Sequence, residues 1–162
     1  MSRPADARPL GLETPAAVIE AFHAAVVTAF QELTDTAVEP TDAYRSATAG
    51  PPAAVRARID LRGATPGRLT LVFPRPVLAT LTRRYLPADI PVTPDLISDA
   101  AGEFANVVAG QAKTMLKGTP HHYTLSTPSV TVADDPDGDA VTLAYDGDAG
   151  PFTLRLVLPT GG

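Results

Sequence analysis

The sequence contains no cysteine, only two lysines and a single asparagine in 162 residues. Without cysteine, disulfides and thiolate metal sites are excluded, and nothing points to an oxidising compartment. There is no excess of positive charge either. The net charge is -5 and the densest basic pair is Arg83-Arg84, so nucleic acid is not an expected partner. No run of about 18 apolar residues occurs, and the opening "MSRPADARPLG" lacks the apolar core of a signal peptide. These absences lead us to expect a soluble cytoplasmic protein with no membrane attachment.

What is present is ordinary globular material, 44% hydrophobic and 19% charged. The length fits one domain, able to bury roughly two-thirds of its unfolded surface. Residues 1–12 are Pro-rich and polar and read as a flexible tail, leaving a single domain over 13–160. Eleven arginines against two lysines, with abundant Ala and Pro, indicate GC-rich coding. That bias makes a lone asparagine less surprising as a rarity, but it does not explain where the residue sits.

The hydrophobic pattern divides the chain into elements. "ETPAAVIEAFHAAVVTAFQELT" has Thr14 as N-cap and Pro15 at the first helical position, and Val18, Phe22, Val26 (or Ala25), Ala29 and Leu33 recur at helical spacing. This predicts a helix over about 15–34. "TAVEPTDAYRS" reads as a ragged edge strand, because Pro40 removes a ladder donor. "AAVRARIDLRG" and "RLTLVFP" alternate with period two around the turn "ATPG" and predict a hairpin with one face buried. A short helix follows at 75–86. A long one runs from about Asp95 to Lys117 and stops at Gly118, with Pro120 behind it. Three strands end the chain: "HHYTLSTPSVTVA", "AVTLAYDG" and "PFTLRLVLP". The order α-β-β-β-α-α-β-β-β implies an α+β fold in two layers. We expect a mostly antiparallel six-stranded sheet with the two long helices packed on one face.

The asparagine lies in "GEFANVVAGQAK", inside the second long helix. Asparagine is a mediocre helix former, because its side chain competes for backbone hydrogen bonds. At about 100° per residue, Ile97, Phe104, Val108 and Met115 fall on one side and should face the sheet. Asp99, Glu103, Asn106, Gly110, Lys113 and Lys117 fall on the opposite stripe, bordered by the small residues Gly102, Ala105 and Ala109. Asn106 is therefore expected on display above a low surface. A carboxamide has no proton suited to general-base work, but it can orient a water molecule. An ionised Glu can accept from a partner's lysine or arginine. This division of labour suits phosphoryl transfer in which the partner carries both the phosphoryl group and the metal.

"DAAGEFANVVAGQAK" resembles the active helix of the CheC/CheX/FliY family, phosphatases of CheY-type response regulators. The family pattern is Asp or Ser, Glu four residues later, Asn three after that, and Pro some 22 residues downstream. Asp99, Glu103, Asn106 and Pro128 match it, with Gly110 four residues past the asparagine. The element order matches over about 13–158. The resemblance implies hydrolysis of the phosphoaspartate of a CheY-type receiver domain. Glu103 would dock the receiver's lysine and Asn106 would position the attacking water, with Asp99, Gly110 and Pro128 in support. It implies no cofactor bound by this chain, Mg²⁺ in the receiver, and a homodimer paired through the sheets. The alternative is a non-catalytic receiver-binding or assembly module of the same fold.

Other residues read differently. Two-site members of the family carry a second Glu-x-x-Asn on the first helix, where this chain has Glu20 and His23; His23 reads as a partly buried helix residue, leaving one site. His121 and His122, as strand neighbours, would point to opposite faces and could not easily share a metal. "DDPDGD" at 134–139 lacks the spacing and terminal Glu of an EF-hand and reads as a solvated hairpin turn. Arg83-Arg84 with Tyr85 reads as a solvated helix end.

Overall fold

The computed structural model describes residues 16–41, 45–46, 54–63, 67–132 and 141–157. In chain order the elements are α1 (Ala16–Thr34), β1 (Val38–Pro40), β2 (Arg45–Ser46), β3 (Val55–Gly63), β4 (Gly67–Phe73), α2 (Arg75–Tyr85), α3 (Pro94–Met115), β5 (Tyr123–Leu125), β6 (Ser129–Thr131), β7 (Val141–Gly147) and β8 (Phe152–Val157). The 1–12 tail, Thr14 and Pro15, residues 64–66 of the hairpin turn and the acidic 134–139 stretch lie outside the described residues.

The strands form one sheet in the order β1-β7-β8-β4-β3-β5, and every described pairing is antiparallel. Two of the six expected strands are broken in two. "TAVEPTDAYRS" becomes β1 and β2, both beside β7, and "HHYTLSTPSVTVA" becomes β5 and β6, both beside β3. The second break has a clear cause. Pro128 has no N–H for the ladder. Just before it, the Ser126 hydroxyl accepts from the Asp60 N–H at 2.9 Å, and the Ser126 N–H donates to the Asp60 carbonyl at 3.1 Å. The chain thus holds on to β3 across the break, and pairing resumes with Ser129 opposite Arg58. His121 and His122 fall in the turn before β5 rather than on a strand, so the opposite-faces argument does not apply to them.

The helices gather on one face of the sheet, where α1, α2 and α3 also pack on one another. α1 is long and apolar enough, by length and mean hydropathy, to cross a membrane; here Phe22, Val26 and Phe30 are buried in the core. Four of the five phenylalanines meet at the centre. The Phe30 ring lies 5.3 Å from Phe104 and 4.9 Å from Phe152, and Phe73 lies 5.4 Å from Phe152. Tyr85 of α2 meets the edge of Phe104 at 5.5 Å. Each buried ring contributes roughly 1.5–3 kcal/mol of transfer free energy, so this cluster anchors α3 in rotation as well as position.

The opposite face of the sheet departs from the half-buried strands expected from alternation. Cross-strand register aligns Arg58, Thr70, Arg155 and Thr142 in one row on that face. Thr70, Thr142 and Arg155 are buried, Arg155 to 1% exposure, and so is Arg56. A polar residue in a period-two pattern marks the second face of a strand but does not make that face solvated. Arginine stems cover apolar surface as effectively as aliphatic side chains do.

Candidate functional site

α3 begins with Thr93, whose hydroxyl accepts from the Leu96 N–H at 3.2 Å, followed by Pro94 in the first turn and the acidic Asp95. This start satisfies an orphan amide, and the acid complements the positive end of the helix dipole. The helix ends near Gly118, whose φ of +84° gives the left-handed conformation that favours glycine. Between these ends the buried side is lined by alanines: Ala100, Ala101, Ala105, Ala109 and Ala112, with Phe104 and Val108 among them. Small side chains let the helix lie close to α1 and the sheet. Their burial orients the opposite face outward.

That face carries the residues expected from the sequence. Asp99 and Asn106 are exposed, and Glu103, Gly110 and Lys113 are half-buried. Glu103 and Asn106 lie about 60° apart around the axis and one turn apart along it. Among the described residues, neither side chain makes a hydrogen bond or ion pair. Both keep their full hydrogen-bonding capacity for something outside the fold.

Pro128 is brought to the same place from 22 residues downstream. A Cβ placed on Gly102 would lie 3.4 Å from Pro128 Cγ and 3.6 Å from Val130 Cγ2. The proline ring therefore packs on the α3 backbone one residue before Glu103. Gly110 differs from Gly102, since a Cβ built there meets nothing within 4 Å. No internal contact requires a glycine at 110. A mid-helix glycine costs roughly 0.5–1 kcal/mol relative to alanine. The bare turn after Asn106 is thus something the fold itself does not need.

Two expectations for this helix require correction. Gly102, Ala105 and Ala109 do not form a low exposed border to the stripe. All three are buried, and the Tyr123 hydroxyl donates to the Ala109 carbonyl at 2.9 Å. The open low point is Gly110. Met115, expected to face the sheet, is 44% exposed, and Leu116 next to it is buried instead.

The corresponding turn of α1 is built otherwise. His23 Nδ1 lies 2.8 Å from the Tyr145 hydroxyl on β7, and the two rings meet edge to face. Burial lowers the His23 pKa below its ordinary 6.5, with the nearby Glu20 carboxylate partly opposing the shift; burial also pushes the Tyr145 hydroxyl well up. The half-buried His23 is a structural contact, as its sequence setting suggests. Its partner, 122 positions away, leaves no local signal. At the end of α2, Arg84 pairs with Asp148 at 2.7 Å and donates to the Thr36 hydroxyl at 2.9 Å, so it serves the fold.

The two-layer α+β fold is shared with solved structures of chemotaxis proteins. A family model described as "Chemotaxis phosphatase CheX" matches residues 55–144, more than half of the chain. The chain belongs to the CheX family. Solved structures with the same fold include a protein assigned to chemotaxis from Desulfovibrio vulgaris Hildenborough, with TM-score 0.78, 23% identity, and 88% of this chain and 96% of that one covered. Chemotaxis protein CheX from Vibrio vulnificus matches with TM-score 0.74 at 17% identity, covering 90% and 100%. A CheX–CheY–BeF3–Mg²⁺ complex from Borrelia burgdorferi matches with TM-score 0.66 at 13% identity, covering 87% and 97%. No curated protein matches the chain.

Proposed function

We infer that this protein hydrolyses the phosphoaspartate of a CheY-type response-regulator receiver. The observation that carries this reading is the pair Glu103 and Asn106, adjacent, outward-facing and without partners in the fold. Pro128 packs on Gly102, one residue before Glu103, on the helix that matches the family pattern. Membership of a family described as a chemotaxis phosphatase, and a structural relative captured with CheY, support it.

In this reading Glu103 accepts a charge-assisted hydrogen bond from the receiver's lysine and sets the docking register. Asn106 enters the receiver's site, and its carboxamide holds a water in line with phosphorus. The water oxygen bonds to phosphorus as the bond to the aspartate oxygen breaks; the water's proton leaves with the phosphate and the aspartate departs as carboxylate. No general base on this chain is required, since positioning and charge stabilisation supply most of the catalysis in phosphoryl transfer. The Mg²⁺ involved belongs to the receiver, and this chain contributes no metal ligand. Pro128 and Gly102 hold the α3 backbone, Gly110 gives clearance, and Asp99 extends the acidic end of the docking face.

The protein is expected to act in the cytoplasm as a homodimer joined at a sheet edge. β1 with β2 and β5 with β6 are the outer strands of the described sheet. Light scattering that reports a monomer at high micromolar concentration rejects the dimer. The decisive test of function is phosphate release from a Mg²⁺-loaded, acyl-phosphate-charged receiver with and without this protein. Binding without release would establish the receiver-binding module instead.

A further inference from the structure

The outward stripe of α3 is longer than the Glu103/Asn106 pair, and its charges are sorted. Asp95, Asp99 and Glu103 occupy the N-terminal half, Lys113 the last turn, and Lys117 the turn just beyond the helix. At about 100° per residue the four charged positions within the helix, with Asn106 and Gly110 between them, span a sector of only about 80°. Among the described residues, none of the five charged side chains forms an ion pair or side-chain hydrogen bond.

The helix alone does not account for this order. Charges that stabilise an exposed helix alternate in sign at i,i+4, and such pairs contribute a few tenths of a kcal/mol, whereas like charges at that spacing destabilise by similar amounts. Here Asp95–Asp99 and Asp99–Glu103 are like-charged i,i+4 pairs, and no acid on the stripe has a basic i+4 neighbour. The helix dipole accounts for Asp95 in the first turn and Lys113 in the last, but its effect fades within a turn of each end. Asp99 and Glu103 lie beyond that reach. Composition adds a second observation. In a chain of eleven arginines, the only two lysines stand together at the basic end of this stripe. Lysine offers a compact mobile charge where arginine offers a rigid fork, and a charge at a docking rim needs reach more than fixed geometry.

We propose that the α3 stripe is a dipolar docking strip that fixes which way round the receiver lies. As the receiver offers its cation to Glu103, an acidic patch on the same receiver meets Lys113, about 10 Å from Asn106 along the helix axis, and Lys117 just beyond the helix end. This rests on the phosphatase reading and extends it: Lys113 and Lys117 are specificity residues that select receivers with an acidic surface at that distance. Gly110 lies between the two ends, so no side chain holds the partner away from the helix.

The test is the double variant Lys113→Glu/Lys117→Glu, assayed by steady-state phosphate release from an acetyl-phosphate-charged, Mg²⁺-loaded CheY-type receiver. The expected result is a rise in KM for the receiver of about five- to tenfold with kcat within about twofold of wild type. The fall of kcat/KM with added salt should flatten, and Lys113→Gln/Lys117→Gln should lie between the two. Light scattering should match wild type, and melting temperature should fall by no more than a few degrees, because acids at the C-terminal end of a helix oppose its dipole. If wild type turns over while the variant keeps its KM and salt dependence, the docking strip is overturned and the phosphatase reading stands. A loss of kcat at unchanged KM overturns it too, because the lysines would then act in the chemistry. So does a changed oligomeric state without a change in KM, which would assign the stripe to a second copy of this chain. If wild type shows no turnover, the phosphatase reading fails, and titration with a beryllofluoride-loaded receiver decides the strip: weaker binding by the Glu variant supports it, and equal binding or none at all overturns it.

Discussion

The two long helices share one face of the sheet, and each carries a glutamate followed three residues later by a hydrogen-bonding side chain. On α1 this is Glu20 with His23, and on α3 it is Glu103 with Asn106. The fold treats them in opposite ways. His23 is half-buried and bonded to Tyr145, and four residues later Val27 adds a branched side chain at the surface. Asn106 is exposed and unpartnered, and four residues later Gly110 leaves open space. The same spacing on two helices therefore gives one structural contact and one available surface. A Glu-x-x-polar motif becomes a candidate site only where the fold leaves its hydrogen-bonding capacity unspent.

The largest expected effect tests that contrast directly. If the Asn106 carboxamide aligns the attacking water, Asn106→Ala should lower phosphatase turnover by on the order of 10²–10³. Receiver binding and melting temperature should change little, since an exposed Asn-to-Ala change in a helix is neutral or slightly stabilising. His23→Ala should leave kcat close to wild type. Equal losses from both variants would mean that α1 carries a working site and would break the comparison.

Glu103→Ala should come next, weakening receiver affinity and turnover together by roughly ten- to a hundredfold. On α1, Glu20→Ala should alter neither. A Glu103 variant that keeps full receiver affinity would remove the docking role proposed for this residue.

On the α1 side the expected effects fall on stability. His23 has a folded pKa below 6.5, so as pH falls through about 6.5 the unfolded chain takes up a proton that the folded one still refuses. The stability this residue contributes is complete above about pH 6.5 and is lost as pH falls below that value. His23→Gln keeps a hydrogen-bonding group near Tyr145 but cannot titrate. Its melting temperature should fall less than wild type's between about pH 7 and pH 5.5. An identical pH profile would show that His23 does not bury its neutral form.

Much of this architecture is legible in the amino-acid sequence, and the exceptions have physical causes. Period-3.6 and period-2 patterns locate both long helices and the β3–β4 hairpin, because one face of each is apolar. Phe104 at the centre of the core makes Asn106 face outward, and a helical wheel conveys that much. The wheel understates the width of the buried arc on α3. Gly102, Ala105 and Ala109 are small enough to be read as exposed filler, yet a neighbour can pack on them, as Pro128 does on Gly102. The broken edge strand is signalled by "STP", but only Ser126 bonded to Asp60 reveals how pairing survives the break. The burial of Arg56 and Arg155 has no sequence signal, since alternation cannot tell a covered polar face from a wet one. The His23–Tyr145 bond spans the chain and is invisible to local patterns.

The smallest expected effect concerns Gly110, where the two helices differ by the side chain four residues past the motif. Gly110→Ala adds one methyl in open space and removes the conformational freedom of a mid-helix glycine, so it should stabilise the protein by roughly 0.5–1 kcal/mol. For a domain of this size that raises the melting temperature by about 1–4 °C. If glycine is there for clearance, the same variant should bind the receiver slightly more weakly. Gly110→Val, which gives α3 the residue that α1 carries at Val27, should weaken binding further without unfolding the helix. A stability gain with unchanged receiver KM in both variants would mean that the partner does not approach this turn, and the difference between Gly110 and Val27 would then have no bearing on docking.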